Sequence, residues 1–517
     1  MAKQYDLIVV GGGISGACIL WDATLRGMNV LLLEKGDFAS GTTQATSKLI
    51  HGGLRYLKNL EFGLVRESLR ERRLLARLAP HAVKPMPFFH PIYKGAKLGR
   101  FTLGLALSLY DVLSFDRNRG IPRHLRLPRH RWLSRDESLQ AEPGLHPEGL
   151  QGAYIYYDYQ NIGPERVCSD FIFSAVERGA TARNYAEVKA IQQTLDGYSV
   201  TIEDRLTSRK ESFEAKSVVN AAGPWADLVD RATSSENSRK IVRSMGIHLV
   251  TRRIAGDSTV VLHRKDGSHF FIIPWREFSL IGTTDSLYEG HPDKFTVPES
   301  EIQKLIQDVT EGLNAKLTRA DVVSVYGGLR PLVEESVSVK DSYSASRKTE
   351  IEMHADKPGF FTVLGGKYTT SRHLAEKAVD QIAAFLGGTW KKCSTHRTAL
   401  RTGDFSTQVL LKQKLFLERK HDRKKIETLI SRYGLIADRM LSEKNLGVAF
   451  TLDNGEVYYK EELETILNTE MVKSIKDLLL RRTGIGTLGI SSPLPFAEEH
   501  GHVVLLAQPE STLRKAG

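Results

Sequence analysis

Apolar residues follow two rhythms along this chain. Short runs rich in β-formers, beginning with Tyr5 to Val10 and Val30 to Leu33, alternate with stretches whose apolar residues recur every three or four positions. The first rhythm predicts buried strands and the second amphipathic helices. Between those two strands a helix should begin near Ser15 and close at Gly27, and Glu61 to Ala79 carries Phe62, Val65 and Leu69 at helical spacing before Pro80 stops it. Val167 to Arg178 reads as helix, and Tyr198 to Ile202, Ser217 to Asn220, His269 to Pro274 and Phe278 to Gly282 read as strands. An amphipathic helix follows from Pro298 to Leu313. Phe361 to Leu364 then leads through Gly365 and Gly366 into a helix that Thr370 or Ser371 should cap. Past Thr398 the residues are mostly Leu, Lys, Glu and Arg, with helix stops at Gly434 and Gly484.

The first strand, helix and second strand enclose Gly11, Gly13 and Gly16 at G-x-G-x-x-G spacing. The first glycine allows a tight turn, the second lets a pyrophosphate approach the backbone, and the third lets helix and strand pack closely. The helix that follows aims unpaired N–H groups, Ser15 among the first, and the positive end of its dipole at an anion. Glu34, at the end of the second strand, can accept hydrogen bonds from ribose hydroxyls. This is a Rossmann-like dinucleotide site, equally suited to NAD and FAD. The turn at Gly365 and Gly366 opens a second helix whose positive end would stabilise the anion of a reduced flavin, which favours FAD. The segment Ser217 to Asp227, containing Ala222 and Gly223, reads as a second visit of the backbone to the dinucleotide.

The length, 517 residues, exceeds one compact core and implies two or three domains. The predicted class is α/β. Residues 1–85, 150–240 and 325–395 form a discontinuous FAD-binding domain, 86–149 and 241–324 an interleaved mixed-sheet substrate region, and 396–517 a helical C-terminal domain. Cys18, Cys168 and Cys393 are odd in number and widely spaced, which argues for reduced thiols and against a metal site. The chain runs almost at once into its first strand, leaving no room for a signal peptide, and Phe101 to Tyr110 is far shorter than the ~20 apolar residues of a membrane span. A cytoplasmic protein is the expectation, with contact at the inner face of the cell membrane left open.

The net charge of +11 favours anionic partners without choosing among them. Arg117 to Arg135 contains no acid and is punctuated by Pro. It reads either as a solvated loop or as a surface for anionic lipid headgroups, aided by Leu125, Leu127 and Trp132. Nucleic acid is set aside, because no aromatic stacking pattern accompanies the charge.

The motifs GGGISG, SKLIHGGLRYL, VNAAGPW, IPW with IGTTD, GGLRPL, GGKYTTSRHLAE and VKSIKDLLLRRT, in this order and spanning nearly the whole chain, are together more specific than the glycine turn alone. In them the chain resembles the FAD-dependent glycerol-3-phosphate dehydrogenases of the D-amino-acid-oxidase-like flavoprotein superfamily. It departs at GIHLV around His248, where Gly-Ser-His is more usual, and at TTSRHLAE in place of TTYRKLAE. The resemblance implies oxidation of sn-glycerol 3-phosphate to dihydroxyacetone phosphate by hydride transfer to flavin N5, with electrons passed to a quinone. A flavin amine or amino-acid oxidoreductase and an oxygen-using glycerol-3-phosphate oxidase are the alternatives. A homodimer and an anionic membrane surface stay open as partners.

Such a reaction needs a group to take the hydroxyl proton, and histidine is the side chain that titrates near neutrality. His51, before Gly52 and Gly53, is the first candidate and His248 the second. A phosphomonoester needs fixed positive charge, which Arg330, Arg55 and Lys367 supply from three glycine-marked turns, with Tyr56 beside them. The resemblance adds Arg347. Thr46, Ser47, Lys48, Gly366, Thr369 and Thr370 complete the residues expected at the cofactor, and no metal is expected.

Overall fold

A computed structural model describes residues 4–96, 98–233, 241–264, 266–332, 349–418, 420–442, 446–490, 496–499 and 502–505. Two sheets carry the architecture. The first has eight strands, and its central order is Glu350–Met353, Phe360–Leu364, Lys210–Asn220, Gln4–Val10, Val30–Leu33 and Thr181–Arg183. The pairs from Phe360–Leu364 to Thr181–Arg183 are parallel, and an antiparallel extension, Ala186–Thr194 with Gly197–Asp204, continues from Lys210–Asn220. Parallel strands buried on both faces explain the unbroken apolar runs: Leu7 and Val9 face the helices Ile14–Arg26, Pro164–Val176 and Ser371–Leu386, while Ile8 and Val10 meet Val200 and Ile202 on the other side.

The second sheet has ten strands and is mixed. Its path runs Ser286–Tyr288, Val242–Arg252, Phe278–Gly282, His269–Trp275, Thr259–His263, Val83–Tyr93, Leu150–Asn161 and Leu49–Ile50, with Val322–Leu332 paired to Val242–Arg252. Ile247, Leu249, Val260 and Ile272 bury one face against Ile302, Leu305 and Val309 of the helix Glu299–Gly312. The opposite face is apolar at one end, where Phe88, Val250, Val261 and Ile273 lie, and polar towards the other. That polar part looks toward the glycine-rich loops of the first sheet.

The C-terminal region is helical, with Phe405–Glu418, Arg423–Tyr433, Ile436–Ser442 and Lys460–Thr469 packed around Tyr433, Met440 and Leu463. It also holds the strand pairs Val448–Thr451 with Val457–Tyr459 and Phe496–Glu499 with His502–Leu505, which the Leu- and Lys-rich composition did not reveal. The basic run is also less loop-like than its sequence. Arg131–Ser134 is a strand on the edge of the second sheet, and Leu125 and Leu127, expected at a lipid surface, are buried at 4% and 1% exposure. Pro punctuation masked an apolar pair that packs inward.

Candidate active site

The glycine turn is built for close approach. Gly11 has φ +110° and a Cβ there would lie 2.7 Å from the Ala221 carbonyl oxygen, while one on Gly16 would lie 1.9 Å from that of Gly11. Only glycine permits the crossing of this turn and the Ala221–Ala222–Gly223 turn, whose strand runs parallel to the first. The helix Ile14–Arg26 starts at Gly13 with no side-chain cap, and the Ile14 N–H donates to Thr43 Oγ1 at 3.0 Å. Glu34 Oε2 accepts from the Gly12 N–H at 2.7 Å and Oε1 from the Gly36 N–H at 2.8 Å. Assigned to ribose from sequence, this carboxylate also ties the glycine turn to the loop beyond the second strand; each oxygen keeps a further lone pair for a hydroxyl. An uncapped helix start, two glycines with no room for a Cβ, and an acid at the strand end fit the diphosphate and ribose of FAD.

The polar stretch after Glu34 crosses to the second sheet. Thr46 accepts from the Tyr326 hydroxyl through its carbonyl at 2.9 Å, and Ser47 Oγ hydrogen-bonds His248 Nε2 at 2.8 Å. Lys48 corrects the sequence reading, which placed it against the cofactor. Its ammonium is buried, donates to Glu165 Oε1 at 2.9 Å and lies 5.0 Å over the Trp275 ring. His51 follows, its N–H donating to Thr369 Oγ1 at 3.4 Å, and Gly53 turns the chain at φ +75°.

Two of the expected cations lie at this turn, and the third lies on the second sheet. Lys367 Nζ sits 3.7 Å over the Tyr56 ring and donates to Ser68 Oγ at 3.2 Å, and Arg55 lies 4.9 Å over the same ring and donates to the Tyr56 hydroxyl. Arg330 lies across Gly246, where a Cβ would fall 2.0 Å from its Nη2. It donates to Thr283 Oγ1 at 2.6 Å and the Thr284 carbonyl at 3.2 Å, with Asp285 Oδ2 at 3.9 Å. Gly366, at φ +83°, opens the turn that presents Lys367. Thr370, one of the two residues expected to cap the following helix, is its N-cap; it makes no side-chain cap bond, its hydroxyl donating instead to the Lys367 carbonyl at 3.4 Å within the 3-10 turn Tyr368–Thr370. Arg347 lies outside the described residues.

His248, the second candidate base, stacks 5.0 Å from the Tyr326 ring. Burial, with Arg330 and Lys48 nearby, holds its pKa down to about 3, so it stays neutral and accepts a proton poorly at pH 7. Groups the sequence reading missed hold the turn that follows His51. The Gly52 N–H donates to the Tyr110 hydroxyl at 2.9 Å and to Asp158 Oδ1 at 3.4 Å; Asp158 in turn accepts from Tyr110 and from buried Arg72. The one available signal was Asp158 itself, the lone acid in an aromatic strand.

The FAD dependent oxidoreductase family (DAO) matches residues 6–372. The chain belongs to this family of FAD-dependent oxidoreductases. The C-terminal domain of alpha-glycerophosphate oxidase matches residues 393–504. An aerobic glycerol-3-phosphate dehydrogenase of Staphylococcus aureus (strain MRSA252) is 32% identical over 521 residues, covering 96% of this chain and 89% of the relative. The solved glycerol-3-phosphate dehydrogenase from Bacillus halodurans, complexed with FAD, is 27% identical with a TM-score of 0.74, covering 95% of this chain and 88% of that one. The L-alpha-glycerophosphate oxidase from Mycoplasma pneumoniae, 17% identical with a TM-score of 0.59 over 77% of this chain and 99% of that one, shares the fold. This family member is therefore an FAD-using oxidoreductase.

Proposed function

We propose that the chain oxidises sn-glycerol 3-phosphate to dihydroxyacetone phosphate and passes the electrons to a quinone. The observation that carries this reading is the pair of cations, Arg55 and Lys367, over Tyr56 in the turn after His51, with Arg330 on the second sheet and a cradle that fits FAD. Gly11, Gly13, Gly16, Glu34, Ala222 and Gly223 would hold the dinucleotide, and Gly366, Thr369 and Thr370 its flavin end. Bound FAD supplies the acceptor for the hydride that leaves C2. A ring nitrogen of His51 takes the proton of the C2 hydroxyl, so the alcohol loses two electrons and two hydrogens in all. Arg55 and Lys367 hold the phosphate by charge-assisted hydrogen bonds, and Arg330 orients the hydroxyl oxygen. The purified holoenzyme should be yellow and should bleach when sn-glycerol 3-phosphate is added without oxygen. An amino acid that bleaches it while the phosphate ester does not would sink this assignment in favour of an amine or amino-acid oxidoreductase.

A membrane face supports the quinone part of the reading. No helix among the described residues is long and apolar enough to cross a membrane. The helix Arg100–Leu113 nevertheless exposes Phe101 at 92%, Leu105 at 74% and Val112 at 67%, spaced to share one side, with Phe115 continuing the stripe. Beside it an open cavity of about 510 Å³ is lined by Arg117, Arg119 and Arg129 together with Asp116, Phe115 and Leu127. This arrangement suits an anionic bilayer surface, where a lipid-soluble acceptor is found. Vesicles with anionic lipid should float the protein at low salt, and Phe101→Ser with Leu105→Ser should leave it at the bottom.

A further inference from the structure

The substrate site has a second wall, which the glycine-marked turns did not reveal. Strand pairing sets Tyr326 opposite His248, His248 opposite Gly282, Gly282 opposite Phe271, and His269 opposite His263. Paired residues share a face and so do residues two apart, so Tyr326, His248, Phe271, His269 and His263 all project toward the same side. On that side Arg330 covers Gly246, and one strand, Phe278–Gly282, separates its support from the strand of His269. Two strand spacings are about 10 Å, a trough for a three-carbon phosphate ester. Gly246, Gly282 and Gly328 make room along it for Arg330, the His248 ring and Ala45.

His269 is braced at the far edge of this trough. Its ring lies 6.1 Å from that of His263, and His263 Nε2 hydrogen-bonds His90 Nε2 at 2.9 Å. One of these two imidazoles must donate while the other accepts, so the pair is ordered. His90 is 4% exposed with no hydrogen-bond partner for Nδ1, and burial with His263 beside it pushes its pKa to about 3. It is a neutral anchor. Burial holds the His269 pKa well below the usual value, and among the groups that add to this are Arg55 and His51 from the substrate loop, His263 from the paired strand and His90 behind it. All are imidazoles or cations, so a phosphate dianion entering beside Arg55 would reverse the balance.

We propose that His269 is a phosphate-binding residue of the substrate site, braced by His263 and His90 and acting with Arg55, and that a solvent proton adds to its ring as the dianion enters. The inference rests on the phosphorylated-polyol reading. Its test uses the FAD-loaded enzyme and inorganic phosphate, with binding read from the change in flavin absorbance, so it can succeed or fail whether or not the polyol is oxidised. His269→Gln should weaken phosphate binding at least ~10-fold and raise KM for sn-glycerol 3-phosphate to match, the loss falling on KM rather than kcat. His269→Lys, with a fixed charge, should restore phosphate affinity and flatten its fall between pH 7 and 9. Phosphate affinity unchanged in His269→Gln would overturn the proposal. Should that variant lose its flavin, His263→Asn, at the rim of the sheet, provides the second reading: a roughly 3-fold weaker phosphate site supports the brace, and no change rejects it.

Discussion

Two regions of this molecule treat buried charge in opposite ways. Where the C-terminal domain meets the dinucleotide domain, cations and carboxylates close on one another. Asp37 accepts from Arg481 at 2.6 Å and from Arg482 at 2.8 and 2.9 Å, and Glu470 accepts from Arg166 and Arg401. Asp170 lies 3.5 Å from Arg166 and 3.4 Å from Arg401. In the active-site cup the described contacts of Arg55, Lys367 and Arg330 are mainly hydroxyls, carbonyls and aromatic rings. The first arrangement pairs each of these cations with a carboxylate and fixes one docking geometry. In the second, neutral groups supply most of the described contacts, which suits an anionic ligand. A π-helical turn, Asp477–Arg482, delivers both arginines to Asp37, three residues beyond the expected ribose acid, so the C-terminal domain braces the dinucleotide cleft.

Acid separates the two regions most widely. His90 and His248 have native pKa values of about 3, below the ordinary 6.5, so the unfolded chain binds their protons first. Their stabilising effect is present above pH 6.5 and is lost as pH falls toward 3, by up to roughly 1.4 kcal/mol per pH unit for each. Burial works to raise the Asp37 and Glu470 carboxyls, but the arginines around them hold both below their usual range. Their contribution is lost only below about pH 4. Urea unfolding between pH 8 and 4 should show stability falling from pH 6.5 downward, and His248→Gln should flatten that upper limb. A decline that begins only near pH 4 would mean that the network, not the cup, is the acid-sensitive part.

Asp37→Ala comes next in size. It leaves Arg481 and Arg482 buried beside one another without their shared carboxylate, a defect of about 3–5 kcal/mol. The urea midpoint should drop accordingly, and FAD should be released faster because the loop after Glu34 loses its clamp. A change under ~1 kcal/mol would show that Asp477 and Glu470, which also face these arginines, compensate them without Asp37.

The dinucleotide half of the site was legible in the sequence because its signals are local: three glycines, the strand before them and the acid after them lie within thirty-odd residues. The clamp was not, because Arg482 meets Asp37 across 445 residues. VKSIKDLLLRRT was recognisable as a motif, yet nothing in it names its partner. Lys48 failed for a related reason. It stands among small hydroxyl residues that suit a cofactor loop, while the carboxylate that takes it, Glu165, is 117 positions away. The His269 wall went unread because its histidines come from three strands whose register only pairing reveals.

Arg330→Ala tests the open side of the comparison. Its guanidinium touches groups that water can replace, so stability should change by less than about 1 kcal/mol. Transition-state binding should weaken by at least roughly 2 kcal/mol, about 30-fold in kcat/KM. If the variant instead unfolds early and its residual activity is normal, Arg330 belongs with the structural cations and the cup loses a wall.

The smallest effect belongs to the contact between Ser47 and His248. The ring of His248 has one described hydrogen bond, through Nε2, and its buried Nδ1 has no partner in the structure. Ser47→Ala removes a bond worth about 1 kcal/mol, which a modest fall in the urea midpoint should register. The informative measurement is the pH profile of kcat. If His248 only packs under the cofactor loop, that profile keeps its shape, since the proton passes to His51. If His248 were the acceptor, freeing its Nε2 would move the acid limb, and the assignment of the base would have to change.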